Sequence, residues 1–401
     1  MNKYRILSLD AGGPWALLQI MALRAIYGPE RQGHDILKQF QLVAASGGGC
    51  ITLAGLVANK RVGAILEEFF LNARRRADIF APPKWIGSKY STSGKLDALK
   101  GALAKAGEHR MSALPGFIQG NGGRSPDILI CAYDSDRKRA EFFRSLLNSR
   151  SASSTAASVD PLFAEVIHVS TTSPLSPIDA PANLGGTQFW DGTGAGLYNP
   201  ILAGMTEAFA NGQKPPEIQV LSIGTGTAQL PKWNRRTDRR LAQEKTTLAD
   251  VSKGIAKSTF NDPPDSATFI AHVMLGQDPQ EQIGSVVRMC PVVRPAGNPE
   301  VGNWTPPPEF TADEFHRLAK LDKITVDQGL IDLVQRYGEL WLKDKVGNQP
   351  IRVNSRFSCE VGHESFSGAK AAWLALTGGT PLARAESAMA SSPRGGPPVA
   401  A

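Results

Sequence analysis

Cysteine is scarce in this chain. Four occur among 401 residues, Cys50, Cys131, Cys290 and Cys359, and no two stand close together. That spacing excludes a metal site built on paired cysteines and a disulfide-stapled scaffold, and it suits a reducing compartment. Histidine is scarce too, with six in all: His34, His109, His168, His272, His316 and His363. None lies in a local motif that marks a catalytic triad, and His168, the nearest to one, reads as structural. No charge occurs from Leu42 to Ala58, but that run is shorter than the ~20 residues a membrane span needs and consecutive glycines break it. No signal-peptide pattern precedes the first strand-like segment, Tyr4–Leu9, so the expectation is a cytoplasmic protein, with signal-less secretion left open. No internal repeat is visible.

Apolar residues make up 42% of the chain, enough for a substantial core. The formal charge is +7, with basic clusters at Arg74–Arg76, at Arg137–Arg139, and at Arg235, Arg236, Arg239 and Arg240. Such clusters read first as solvated faces and second as attraction to an anionic membrane surface. Nucleic-acid binding is not expected, because no recognisable module accompanies the charge.

One stretch organises the rest, QLVAASGGGCITLAGLV at residues 41–57. A short apolar run reads as a buried strand and ends at Ser46. Gly47, Gly48 and Gly49 follow, and then Ile51, Leu53, Leu56 and Val57 recur at roughly helical spacing. Strand, serine, glycines and helix in that order form a nucleophile elbow, whose helix start brings backbone N–H groups and a positive dipole end towards a developing oxyanion. A plain packing turn fits the stretch as well. A phosphate loop fits less well, since no Gly-Lys-Ser/Thr ending is present.

A second strand–turn–helix unit precedes it. YRILSL is a strand, Asp10–Ala11–Gly12–Gly13–Pro14 a turn, and Trp15–Ile26 a buried helix. Two glycines after a strand allow close approach of main-chain N–H groups to a ligand, either as half of an oxyanion hole or as a phosphate turn. Two such units argue for α/β architecture with a mainly parallel sheet. Further strands are expected at DILICAY (127–133), TQFW (187–190) and EIQVLSI (217–223), with a hairpin return at 140–144. Helices are expected at 62–75, 96–106, 163–169, 201–210, 248–255, 266–275, 315–321 and 328–342. Residues 81–95, with Trp85 and Tyr90, read as a connector or a lid, 151–158 as loop, and 286–293 as a strand followed by a loop to Pro308.

Lined up, these pieces resemble the patatin-like phospholipase family over residues 4 to about 345. LSLDAGG resembles its glycine-rich oxyanion loop, AASGGG its elbow, and VSTTSP the polar stretch before its acid. WDGTGAGLYNP resembles its Asp-Gly motif, and LSIGTG a structural strand and turn. The resemblance implies a three-layer α/β/α fold with a mainly parallel central sheet. It implies a Ser46–Asp191 dyad that cleaves fatty-acyl esters of lipids, with the N–H groups of Gly12, Gly13 and Gly47 as oxyanion hole. Asp10, Gly48, Gly192 and Asn199 take supporting places. Asp191, desolvated, is the expected base that takes the Ser46 proton, and no metal or organic cofactor is implied.

Three positions depart from the family pattern: Ala11 and Ala44 stand for glycines, and Trp15 stands where an arginine or lysine is usual. They raise two alternatives, a catalytically impaired lipid-binding or regulatory module on the same scaffold, and an acyltransferase. The expected partner is membrane phospholipid or another acyl lipid, with peripheral membrane contact. The expected domains are a hydrolase domain at 1–349, an extension at 350–383 and a disordered tail at 384–401.

Overall fold

The computed structural model describes residues 3–80, 92–120, 122, 125–145, 160–174, 181–228, 263–276, 285–296, 305–349, 351 and 362–378. The expected helix at 248–255, most of the 81–95 segment, the 151–158 loop, the 235–240 arginines and the 384–401 tail lie outside these residues.

Apolar runs bounded by turns become strands β1 (Tyr4–Leu9), β2 (Leu42–Ser46), β3 (Asp127–Asp134), β4 (Arg139–Arg144), β5 (Ala182–Leu184), β6 (Thr187–Asp191), β7 (Ile218–Ile223), β8 (Thr227–Ala228), β9 (Val286–Met289) and β10 (Val292–Val293). Eight of them form one sheet in the order β5-β6-β3-β2-β1-β7-β9, with β4 paired to β3, while β8 and β10 form a separate pair. The β2-β1-β7-β9 and β2-β3 pairings are parallel; β3-β4, β3-β6 and β5-β6 are antiparallel. The fold is therefore α/β with a mixed, mainly parallel sheet.

Side chains alternate across the pleat, so each central strand feeds two cores. Leu7, Leu9, Val43, Ala45, Ile128, Ile130, Leu221 and Ile223 face the larger core, with helices Leu17–Tyr27, Gly48–Val57 and Gln328–Leu342. Ile6, Leu42, Ala44, Leu129 and Val220 face the smaller one, with helices Ile201–Ala210 and Pro263–Met274. Both sheet faces are covered, which gives three layers.

The departures from the sequence pattern are local. The helix expected over 62–75 breaks: Val62–Ile65 is α-helical, Leu66–Leu71 widens into a π turn, and a new helix runs from Ala73 to Phe80. The basic run there is not all solvated. Arg76 is buried and donates to the carbonyls of Phe70, Leu71 and Val326 and to Gln328 Oε1. The strand expected over 286–293 is cut in two by Cys290 and Pro291. Within 350–377, which had no sequence assignment, Phe366–Thr377 is a helix capped by Ser365, whose hydroxyl accepts from the Gly368 N–H.

Candidate active site

The glycine loop follows β1 directly. Asp10 is buried and takes both arms of the Arg288 guanidinium, at 3.0 and 2.7 Å, while the same guanidinium donates to Ser222 at 2.8 Å. A buried carboxylate needs such pairing. Gln19 ties the loop down further, donating to the carbonyls of Asp10 and Ile223 and accepting from Thr52 of the helix after β2. Gly12 has φ +139° and Gly13 φ +50°, so the turn is built on conformations that side chains resist. The Lys323 carbonyl lies against Gly13.

Lys323 arrives from a segment remote in sequence. Its ammonium donates to Tyr198 Oη at 2.6 Å and to the Gly226 carbonyl at 2.7 Å, and desolvation pulls its pKa down to about 8. It stands near a loop whose usual cation is replaced by Trp15, which is fully buried in the core.

The elbow sits between β2 and helix Gly48–Val57. Ser46 is the last residue of β2, in register with Cys131 of β3. Gly47 makes the turn, with φ +45° and ψ −123°. Gly48 and Gly49 start the helix and press on the glycine loop. A Cβ at Gly48 would stand 2.5 Å from the Gly13 nitrogen, and one at Gly49 would run into the carbonyls of Leu9 and Asp10. These glycines let the two loops touch, so the helix start faces Gly12 and Gly13.

Asp191 reaches the same spot by topology. β4 occupies one edge of β3 from Leu129 to Asp134. β2 therefore shares the other edge with β6, β2 pairing as far as Cys131 and β6 beginning at Ala132, opposite Asp191. The tips of β2 and β6 meet head to head. The Asp191 N–H is held by the carbonyl of Thr172, in the polar stretch that precedes the acid, at 2.7 Å. Its Oδ1 accepts from the N–H of Thr193 at 3.2 Å and from the Thr193 hydroxyl. Burial pushes the carboxyl up to about 7; the bonds from Thr193 and the nearby Lys95 pull the other way. Lys95 donates to the Thr171 carbonyl at 2.8 Å.

The structure brings Ser46, Gly47 and Asp191 together but does not join Ser46 to Asp191 by a hydrogen bond. Ser46 is 0% exposed and its hydroxyl has no hydrogen-bond partner among the described residues. It lies against Gly192, where a Cβ would stand 2.6 Å from the Ser46 Oγ. The other carboxylate oxygen lies by the next residue along: Asp191 Oδ2 is 3.4 Å from where a Cβ on Gly47 would be. Asn199 accepts from the Ser8 hydroxyl and the Ile201 N–H, both at 3.0 Å, fixing the loop after β6 onto β1. His168 is remote from this chemistry in role: burial drives its pKa down to about 3, so it stays neutral.

Sequence reasoning missed Arg288, Lys323, Gln19 and Lys95. Arg288 alone carried a signal, a single charge inside the apolar run VVRM, since a cation in a buried strand needs an anion to face.

A family model described as patatin-like phospholipase matches residues 7–204. Among solved structures, VipD from Legionella pneumophila is similar at 11% identity, over 84% of this chain and 67% of that one, with a TM-score of 0.33. A search of curated proteins finds no match.

Proposed function

Because this chain belongs to the patatin-like phospholipase family, we propose that it receives a fatty-acyl ester of a lipid between the Gly12–Gly13 loop, the Gly47 turn and Asp191. In this reading it holds the ester without cleaving it. Members of the family are generally lipid acyl hydrolases, and the scaffold of that chemistry supports the ester as ligand. The glycine loop and the helix start offer main-chain N–H groups to a carbonyl oxygen. Asp191, near neutrality at about 7, can accept or donate a proton beside it. The observation that carries the absence of turnover is Ser46. Its hydroxyl is sealed from solvent and has no hydrogen-bond partner among the described residues, whereas a general base must stand within ~2.6–3.2 Å of the proton it removes.

A second reading is hydrolysis through Ser46 and Asp191, or acyl transfer to an alcohol by the same acyl-enzyme. It is favoured by Asp191 being held at the tip next to Ser46 with a base-like pKa. It requires the Ser46 side chain to leave its pocket against Gly192. Contact with a lipid surface would use the exposed Ile270, Val273 and Met274, which share one face of helix Pro263–Met274. No helix among the described residues is long and apolar enough to cross a membrane.

The test is sedimentation with phospholipid vesicles alongside fatty-acid release, in wild type, Ser46→Ala and Asp191→Asn. Binding in wild type with release no faster than in Ser46→Ala is expected. Fatty-acid release that both substitutions abolish establishes the hydrolase instead, and diversion of the acyl group to added alcohol establishes the transferase.

A further inference from the structure

We propose that position 47, not 46, is the seat from which a nucleophile would act in this elbow, that glycine leaves the seat without a side chain, and that the Ala11 methyl fills the space. This rests on the acyl-ester reading of the same site and names the reason it would not turn over.

Three observations converge. The first is the backbone. An elbow nucleophile is the residue that itself makes the strained strand-to-helix turn, so its side chain leaves the sheet at the tip. Here Ser46 is an ordinary strand residue in register with Cys131, and the strained torsions, φ +45° and ψ −123°, belong to Gly47. The second is aim. A Cβ at position 47 would lie 3.4 Å from Asp191 Oδ2, so a hydroxyl one bond further out comes within reach of that carboxylate. The Ser46 hydroxyl instead faces Gly192 and makes no hydrogen bond among the described residues. The third is steric. The same Cβ would lie 2.8 Å from the Ala11 Cβ and 3.2 Å from its Cα. A methyl at 11 and a side chain at 47 exclude each other, and this chain carries the one at 11, buried to 1% exposure.

The motif frame follows. The Gly-x-Ser-x-Gly pattern sits on Ala45–Ser46–Gly47–Gly48–Gly49, with Gly49 the obligatory second glycine because the carbonyls of Leu9 and Asp10 crowd it. The departures at Ala11 and Gly47 are then one change seen from two sides, a side chain lost from the seat and a methyl gained opposite it.

The test restores the pair in a Ser46→Ala background, as Ala11→Gly with Gly47→Ser, and exposes each protein to a fluorophosphonate. In the labelling step the introduced hydroxyl gives its proton to Asp191, an oxygen–phosphorus bond forms, and fluoride leaves. The expected result is labelling on the peptide containing position 47 in this variant and none in wild type or in Ser46→Ala. Adding Asp191→Asn slows labelling by about 10²-fold or more. Gly47→Ser alone, with the Ala11 methyl kept, unfolds at a lower temperature than the variant that also carries Ala11→Gly. The proposal is overturned if wild type is labelled and Ser46→Ala removes the label, or if the restored variant unfolds cooperatively near the wild-type temperature yet stays unlabelled. The wild-type arm decides even where the restored variant does not fold. Labelling of the restored variant without vesicle binding by wild type would sink the ligand assignment and leave the seat standing.

Discussion

At the scale of single residues, the site is governed by two buried carboxylates held in different ways. Asp10, just after β1, is fixed by Arg288 from β9 two strands away, both side chains 1% exposed. Removing one partner of a buried pair strands the other charge, so Arg288→Met should cost about 3–5 kcal/mol in chemical denaturation. Asp191 is raised to about 7, chiefly by burial, with the bonds from Thr193 and the nearby Lys95 pulling the other way. The folded state therefore keeps a proton that the unfolded chain gives up near its ordinary carboxylate pKa. The folded state's advantage is complete below that ordinary value and is lost as pH rises through about 7. Asp191→Asn lacks this loss. Thermal unfolding of the two proteins should show the variant gaining on wild type from pH 4 to pH 7 and levelling off above it. A constant gap across that range would mean the carboxyl is not raised.

At the scale of elements, three close approaches build the site. The helix after β2 meets the glycine loop through Gly48 and Gly49, and the tips of β2 and β6 meet along one edge of β3. Gly49→Ala puts a methyl against backbone carbonyls that have no rotamer to change. It should cost about 1–3 kcal/mol or more, measured by urea denaturation. A neutral outcome would show that the helix can slide, and that the contact does not fix the elbow. The segment carrying Lys323 is a third approach. It is held by the Lys323 bonds to Tyr198 and Gly226 and by Arg76 at the Val326 carbonyl. The Lys323 carbonyl reaches Gly13 of the glycine loop from more than 300 positions away, while its ammonium binds Tyr198 and Gly226.

At the scale of the whole molecule, the last helix among the described residues, Phe366–Thr377, belongs to the larger core. Trp373 stacks on Phe40 with ring centroids 5.8 Å apart, its indole N–H donates to Tyr27 Oη at 3.3 Å, and Lys370 donates to the Ala25 carbonyl. Trp373→Ala should cost about 3–5 kcal/mol, and its unfolding should stay a single transition. A separate early transition would mean that this helix is an appendage. The sequence left 350–377 unassigned because WLALTG, read alone, has no partner surface to give its pattern a side.

How far the chain could be read without its fold varied by residue. The strand from Leu42 and the acid-bearing WDG were plain, because apolar runs closed by glycine are local signals. The paired glycines at 12–13 and 47–49 were plain for the same reason. Arg76 was misread as solvated, since only the chain 250 residues away supplies the Val326 carbonyl that buries it.

The amino-acid order by itself determined the layered architecture, the glycine turns and the presence of an acid behind a polar stretch, since each is written within a dozen neighbouring residues. Which residue of the elbow faces that acid was decided only in three dimensions. Strand register along β3 sets it, since a shift of one position in register turns a side chain to the opposite face, and the Ala11 methyl fills the space beside position 47.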